Sequence, residues 1–192
     1  GYNNNIWQLW RDHENGHTEL VPMQYPPLQR NALLFVGLNP SYDPQQIWGM
    51  VQRAQEANPN FCPQLQNQQV IEALFNFLHN FENRWPCLEQ IEEFARGENG
   101  HNYFNASQAI ARQVGMDWEH IDLFAQRHTN QSEIQEWYGI TVQNGTATIY
   151  NDFAEQQLEE SINLIKALEP AIIVVCNALA SKIVAGRLRL DG

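Results

Sequence analysis

The chain has 192 residues, of which 43% are hydrophobic, and a formal net charge of −11. This length and composition fit one globular domain with a sizeable core and exclude intrinsic disorder. The charge argues against a broad, nonspecific grip on nucleic acid, which needs a basic face, although a local basic patch remains compatible with it. The longest apolar run, 171–176, is far shorter than the ~20 residues of a membrane helix, so we expect no membrane association.

The cysteines Cys62, Cys87 and Cys176 are odd in number and widely spaced. A disulfide framework favours an even number, and zinc or iron–sulfur sites favour close pairs, so we expect neither a disulfide framework nor a metal or other cofactor. Cys176 ends an apolar run and is expected to be a small buried residue. The N-terminus lacks the layout of a signal peptide, and we therefore expect a protein that is cytoplasmic, or at least not exported.

In the first third of the chain, the spacing of apolar residues predicts a short amphipathic helix over residues 6–13. The continuous apolar run 32–36 stops abruptly at Gly37 and is typical of a buried strand. Apolar residues recur at helical spacing over 66–81, which predicts a second helix.

The middle of the chain contains further helix boundaries. One predicted helix has Pro86 in its first turn and ends at Gly97, and the next uses Asn105 as its N-cap and ends at Gly115. The run 120–124 then indicates a strand.

The last third begins with a predicted hairpin over 140–149, where the Asn144-Gly145 pair favours a two-residue type I′ turn. The strongest helix signal follows, with Asp152 and Glu155 as a capping box. Pro170 ends this helix, which contains apolar residues at steps of three and four.

A second apolar strand is predicted over 171–176, and Asn177 can cap a final helix that reaches about Ala185 and stops at Gly186. Three strands separated by helices predict an α/β fold with a mainly parallel central sheet between helical layers. The sequence fits one domain over 1–192 with a helix-rich insertion at about 45–118.

Ligands of open α/β sheets bind at the carboxyl ends of the strands. The segments expected there are 37–44, 125–130, and Asn177 with the start of its helix. Functional residues should therefore come from these three segments.

The first segment contains Gly37-Leu38-Asn39-Pro40-Ser41. Gly37 allows a sharp turn and the close approach of a ligand, and Pro40 restricts the backbone of Asn39. The Asn39 amide can accept a hydrogen bond from a water and donate one to a substrate. Asn-Pro is equally typical of an ordinary turn.

The other two segments contain isolated polar residues. Arg127 is suited to a phosphate and His128 to titration near neutral pH, but polar residues are expected in any loop. Asn177 has helix capping as its simplest role, although a helix N-terminus also attracts anions.

Together these segments resemble the uracil-DNA glycosylase superfamily, and most of all its mismatch-specific (G:T/U) branch. Residues 33–41 are similar to the first motif of that branch, whose loop reads G-I-N-P-G. Residues 122–129 resemble its T-x-L-V-x-R-x-T stretch, with the best match at Arg127 and Thr129. The region 158–183 resembles the third strand and its flanking helices.

The resemblance implies a three-layer α/β/α sandwich and hydrolysis of the N-glycosidic bond of uracil or a related damaged pyrimidine in DNA. Asn39 would then position the attacking water. The remaining residues that the resemblance and the strand ends place around the base are Gly37, Leu38, Pro40, Ser41, Tyr42, Phe124, Arg127 and Asn177. Tyr42 or Trp48 could stack on that base. The implied partner is DNA with a damaged or mismatched pyrimidine, and we expect a monomer.

The superfamily has a final H-P-S or N-P-S motif that supplies a donor to the leaving base. No such motif lies at the corresponding place here, so either the chain is truncated at its C-terminus or the protein lacks that half of the site. Two alternatives therefore remain open. One is a catalytically silent domain of the same fold that binds a base, nucleotide or protein partner, and the other is an unrelated doubly wound nucleotide-handling protein.

Overall fold

The computed structural model describes residues 1–13, 22–41, 43–65, 85–97 and 100–188. The helix that we predict over 66–81 lies outside these ranges. Within them, no helix is both long enough and apolar enough to cross a membrane.

The described residues form helices of one to five turns and short strands. The helices are α1 (Tyr2–Asp12), α2 (Pro44–Ala57), α3 (Trp85–Arg96), α4 (Asn105–Val114), α5 (Gln131–Trp137), α6 (Asp152–Leu168) and α7 (Ala178–Arg187), with 3₁₀ turns at Pro63–Leu65 and Asn102–Phe104. The strands are β1 (Leu33–Gly37), β2 (Trp118–Asp122), β3 (Thr141–Gln143), β4 (Thr146–Thr148) and β5 (Ile172–Val175).

The central feature is a three-stranded sheet of order β2-β1-β5. Both neighbours run parallel to β1, with Leu33 opposite Trp118 and Ile172. The fold is therefore mixed α/β with a small parallel sheet, as the sequence predicts. β3 and β4 form a separate antiparallel hairpin.

Every residue of β1 is buried, because both faces of this strand are covered. Leu34 and Val36 belong to the large core cluster that also contains residues of α1 and α6. Leu33 and Phe35 belong to a smaller cluster with Ala111 of α4. Alternate residues of a strand point to opposite faces, which explains why a continuous apolar run is required at this position.

The second strand is displaced from the prediction. β2 begins at Trp118 and ends at Asp122, whereas the sequence predicted a strand over 120–124. Pairing with β1 sets these bounds, since Gly37 at the end of β1 lies opposite Asp122.

Three predicted helix boundaries are wrong in detail. Asn105 is the first residue of α4 and makes no capping hydrogen bond; His101 instead caps the preceding 3₁₀ turn by accepting from the Tyr103 backbone N–H. α6 is capped by Asn151, one residue before Asp152. α7 continues through Gly186 to Arg187, since this glycine lies in the last turn, where its low helix propensity costs little.

The other local signals are confirmed. The Asn144-Gly145 turn joins β3 to β4 with φ of 51° and 78°, as a type I′ turn requires. Asn177 caps α7 by accepting from the backbone N–H groups of Leu179 and Ala180. Gly115 ends α4 with φ of 67°, and Gly97 directly follows α3.

The last strand is less buried than the apolar run suggested. Among the described residues, β5 pairs with β1 alone, and Ile172 is 50% exposed. Cys176, expected to be buried, is exposed just beyond this strand.

The expectation of no disulfide is also wrong, because Cys62 and Cys87 are bonded, with their Cα atoms 5.1 Å apart. The bond joins the segment after α2 to the first turn of α3. Spacing along the chain did not indicate the pair, since the two residues meet only when α2 and α3 pack together. Disulfides persist mainly in oxidising compartments, so the cysteines no longer support a cytoplasmic location.

We expect the double substitution of Cys62 and Cys87 by Ser to lower the free energy of unfolding by about 3 kcal/mol, because a cross-link restricts the unfolded chain. Urea denaturation of the two proteins measures this difference. Thiol titration in denaturant should find one free thiol without reductant and three with it, and three in both cases would contradict the pairing.

Candidate active site

A pocket of about 260 Å³ opens at the carboxyl ends of the three parallel strands. All three segments that the sequence placed at this edge contribute to it, through residues 37–41, 127–129 and Asn177. One wall comes from α3 and from the turn that precedes α4, including Glu92, His101, Tyr103 and Phe104. The described part of region 45–118 thus covers the cleft.

Backbone hydrogen bonds hold the two main loops together beyond the ends of their strands. Phe124 N–H donates to Leu38 O at 2.9 Å, and His128 N–H donates to Pro40 O at 2.9 Å. The loop after β1 is consequently fixed against the loop after β2 on a rigid support.

Asn39 is buried on this support, with 9% of its surface exposed. Its Nδ2 donates to His128 O at 2.7 Å, which sets the orientation of the amide. Its Oδ1 is buried and accepts no hydrogen bond from the residues that the structure describes. A buried acceptor without a donor is costly, and a water or a ligand N–H in the adjoining cavity would satisfy it.

Gly37 is required for a reason that the sequence did not reveal. It is the last residue of β1, and its φ is not among the positive values found in the described chain, so it makes no sharp turn. A Cβ built at this position would overlap Asp122 Oδ1 and lie 3.3 Å from His120 Nε2. The glycine therefore makes room for the Asp122 carboxyl group and the His120 ring.

Asp122 and His120 are functional candidates that sequence reasoning missed as site residues. Both are buried and line the pocket. They lie two residues apart on β2, so they share a face of the sheet. The available signal was this H-x-D spacing in the first half of a predicted strand, which is unusual in an otherwise apolar core.

Burial and, to a smaller extent, the neighbouring Glu92 carboxylate raise the pKa of Asp122 from 3.8 to about 7, although Arg96 and Arg127 act in the opposite direction. Burial, followed by the charge of Arg96, lowers the pKa of His120 to about 3. His120 is therefore neutral at physiological pH, and Asp122 is poised between its two forms.

Tyr103 lies at the mouth of the pocket, with 54% of its surface exposed. Its hydroxyl is 3.4 Å from His120 Nε2, and its ring contacts Phe104 and His120 at centroid distances of 5.2 and 5.4 Å. These rings form an aromatic wall against which a planar ligand can pack.

Arg127 lines the pocket, as predicted, but its guanidinium is already bound. Nη2 donates to Glu92 Oε1 at 2.7 Å, and both side chains are buried. A phosphate would have to compete with this carboxylate, and separation of a buried ion pair is strongly unfavourable. The pair instead anchors α3 against the loop after β2.

The His128 ring is oriented by two contacts, although no residue adjacent to it in the sequence indicated such a partner. Its Nε2 lies 3.2 Å from Glu133 Oε2, and its Nδ1 accepts from the Asn130 backbone N–H at 3.0 Å. Both ring nitrogens are occupied, which makes His128 a support of the pocket rim.

The remaining non-aromatic predicted site residues also line the pocket. Leu38 and Pro40 are buried in the lining, and Ser41 is exposed at the rim. Asn177 lines the pocket, but its Oδ1 caps α7 and its Nδ2 donates to Gln131 Oε1 at 2.8 Å.

Two aromatic predictions are wrong, and one lies outside the described residues. Phe124 is fully buried and packs on Tyr138 at 4.9 Å, away from the pocket lining. Trp48 is half-buried against the core and is not part of the lining. Tyr42 falls on a residue that the structure does not describe.

The site thus combines a buried amide oxygen without a donor among the described residues and a carboxyl group of near-neutral pKa with an aromatic wall. Among the described residues, no cluster of three or more His, Cys, Asp or Glu side chains is arranged for a metal ion. Comparison with protein-family models, with curated proteins and with solved structures finds no match for this chain.

The raised pKa of Asp122 makes stability depend on pH. Between the unfolded value of 3.8 and the folded value of about 7, the folded state binds more protons, so the free energy of unfolding falls as pH rises. Asp122→Asn removes this dependence. The free energy of unfolding of Asp122→Asn minus that of the parent should be larger at pH 8 than at pH 5 by roughly 3 kcal/mol, because two pKa units lie between pH 5 and the folded pKa and one unit corresponds to about 1.4 kcal/mol.

Urea denaturation at the two pH values checks this prediction. Asp117→Asn is the matched control, since Asp117 is exposed at the opposite end of β2. An equal difference at both pH values for Asp122→Asn would contradict the raised pKa.

Proposed function

We propose that this protein hydrolyses the N-glycosidic bond of uracil or a related damaged pyrimidine in DNA, on a three-layer α/β/α scaffold like that of the uracil-DNA glycosylases. The observation that supports this most is the buried Asn39 Oδ1, which has no donor among the described residues and belongs to a residue that lines the pocket. Support also comes from the order of the three resembling segments, which meet at one pocket. Helices against both faces of β1 agree with the proposed scaffold.

The chemistry requires the base to leave the helical stack and enter the pocket. Asn39 Oδ1 would accept a hydrogen bond from the attacking water, while its Nδ2 stays bound to His128 O. This leaves the amide in one orientation, so the water is aimed at the sugar carbon as oxocarbenium character develops. Positioning of this kind is a major source of rate enhancement.

The base would lie against Tyr103 and Phe104. Tyr103 is exposed enough to meet a ring that enters from solvent, and Phe104 packs on its inner side. Stacking of a base on aromatic side chains is favourable for every base, so this wall would hold the base and leave its identity to the polar groups of the pocket.

A second function is favoured by the charges. Among the described residues that line the pocket, Arg127 is the only Arg or Lys, and it is paired with Glu92. DNA affinity depends largely on phosphate contacts, and the net charge of −11 opposes them. A catalytically silent domain that binds a free base or nucleoside is consistent with such a pocket.

The partner that the first proposal implies is DNA with a damaged or mismatched pyrimidine, bound by a monomer. A cytoplasmic location stays a prediction, and the Cys62–Cys87 bond is more typical of an oxidising compartment.

Uracil release by the parent protein and by Asn39→Ala distinguishes these two functions. The parent protein should release uracil from single-stranded and mismatched duplex oligonucleotides, and the variant should be slower by about 100-fold or more, because the water is no longer positioned. Base release is measured by chromatography.

Asn4→Ala is the control, since Asn4 is exposed on α1, and it should retain full activity. Absence of release by the parent from every such substrate would refute the glycosylase. Saturable uracil binding in calorimetry without release would then establish the silent domain.

A further inference from the structure

The Asp122 carboxyl group lines the pocket, yet the hydrogen bonds of Asp122 to other described residues are made by its backbone. Its N–H donates to Tyr25 Oη at 2.7 Å, and its carbonyl oxygen accepts from Ser161 Oγ at 3.3 Å. The residue is 3% exposed, so the backbone is fixed from behind while the carboxyl group faces the cavity. A buried carboxyl group that accepts no hydrogen bond from the described residues is rare in a purely structural role.

The position of Asp122 at the pocket is set by strand pairing. Asp122 lies opposite Gly37 in the register of β1 and β2, and its Oδ1 occupies the space that a side chain at position 37 would need. Asn39 follows Gly37 by two residues and lines the same pocket as Asp122. The amide and the carboxyl group therefore approach the cavity from adjacent strand ends.

We propose that Asp122 is the general base that removes a proton from the water held by Asn39, with Gly37 providing the space for its carboxyl group. This inference rests on the proposed hydrolysis. It adds the group that an amide cannot supply, because Asn39 can position a water but has no basic site for its proton.

In one turnover, a water O–H bond breaks and its proton goes to the Asp122 carboxylate, while the water oxygen forms a bond to the sugar C1′. The C1′–N bond breaks, and its electron pair leaves on the base. The base anion takes up a proton from solvent, and Asp122 returns its proton to solvent, so the products are the free base and the sugar hydroxyl.

The surroundings of the carboxyl group favour this role. His120 on the same strand is neutral and its Nδ1 is 3.9 Å from Asp122 Oδ2, so it does not neutralise the carboxylate. The groups that face Asp122 from packed elements are Glu92 and Arg96 of α3, Arg127 of the loop after β2, Tyr2 of α1, Tyr25 before β1, Tyr103 at the pocket mouth and Cys176 after β5. Burial dominates their combined effect and raises the pKa of Asp122 to about 7, which suits proton transfer near neutral pH.

The test is the pH dependence of kcat for uracil release from a single-stranded oligonucleotide. The parent protein should lose activity as pH falls through about 7, because protonated Asp122 cannot accept a proton. Asp122→Asn should lower kcat by roughly 10²–10⁴-fold, leave KM little changed, and abolish this acidic limb. Asn39→Ala should lower kcat but keep the limb, since its general base is intact.

Two further variants exclude a merely structural effect. Gly37→Ala places a methyl group where Asp122 Oδ1 lies and should lower kcat with the limb displaced. Asp122→Ala should recover part of its activity when formate is added, because a small carboxylate can replace the missing base. Asp117→Asn, remote from the pocket, should match the parent.

Two negative outcomes separate the proposals. Uracil release by Asp122→Asn at the parental rate with the acidic limb intact would overturn the role of Asp122 alone and leave Asn39 and the hydrolysis standing. No release by the parent protein would overturn the hydrolysis and this role together. If Asp122→Asn fails to fold, an unchanged kcat and pH profile in Gly37→Ala would overturn the proposal.

Discussion

The pairing of β1 with its two parallel neighbours is the constraint on which the rest of this structure depends. It brings the carboxyl ends of three strands to one edge, although β1 is far from β2 and β5 along the chain. The pairing continues beyond the strands, since Leu123 N–H donates to Gly37 O and Cys176 N–H donates to Val36 O. The loops that follow the strands are thereby held in a fixed relation, and the pocket exists because of that relation.

The pocket combines features that a stable core would avoid. Asn39 Oδ1 has no donor among the described residues, and the Asp122 carboxyl group is buried beside another carboxylate. Each arrangement costs free energy. Buried polar groups without partners and titratable groups with displaced pKa values are characteristic of functional sites, and here they occur together at the edge where ligands of parallel sheets bind.

Other polar residues around the pocket support its walls instead of meeting a ligand. Glu92 and Arg127 neutralise each other inside the protein. Arg96 donates from Nη1 to Glu119 Oε2 at 2.7 Å and from Nη2 to the His120 carbonyl oxygen at 2.5 Å. These ion pairs attach α3 to the sheet and its following loop. The Cys62–Cys87 bond attaches the first turn of the same helix. The wall opposite Asn39 is thus held by charge pairs and a covalent link as well as by apolar packing.

The sequence by itself determined the features that depend on neighbouring residues. Apolar runs identified β1 and β5, Asn144-Gly145 identified the hairpin turn, and Asn177 identified the start of α7. The loop at Asn39 was recognised for the same reason, because its stiffness comes from Pro40 beside it.

Only the tertiary structure decided what Gly37 accommodates, which carboxylate Arg127 binds, and which cysteines meet. It also shows that Phe124 lies in the core and that His120 and Asp122 line the pocket. Each of these contacts joins residues that are distant along the chain or depends on strand register. Local spacing contains no information about which distant partner a side chain will meet, since strand pairing and helix packing across the whole domain make that choice.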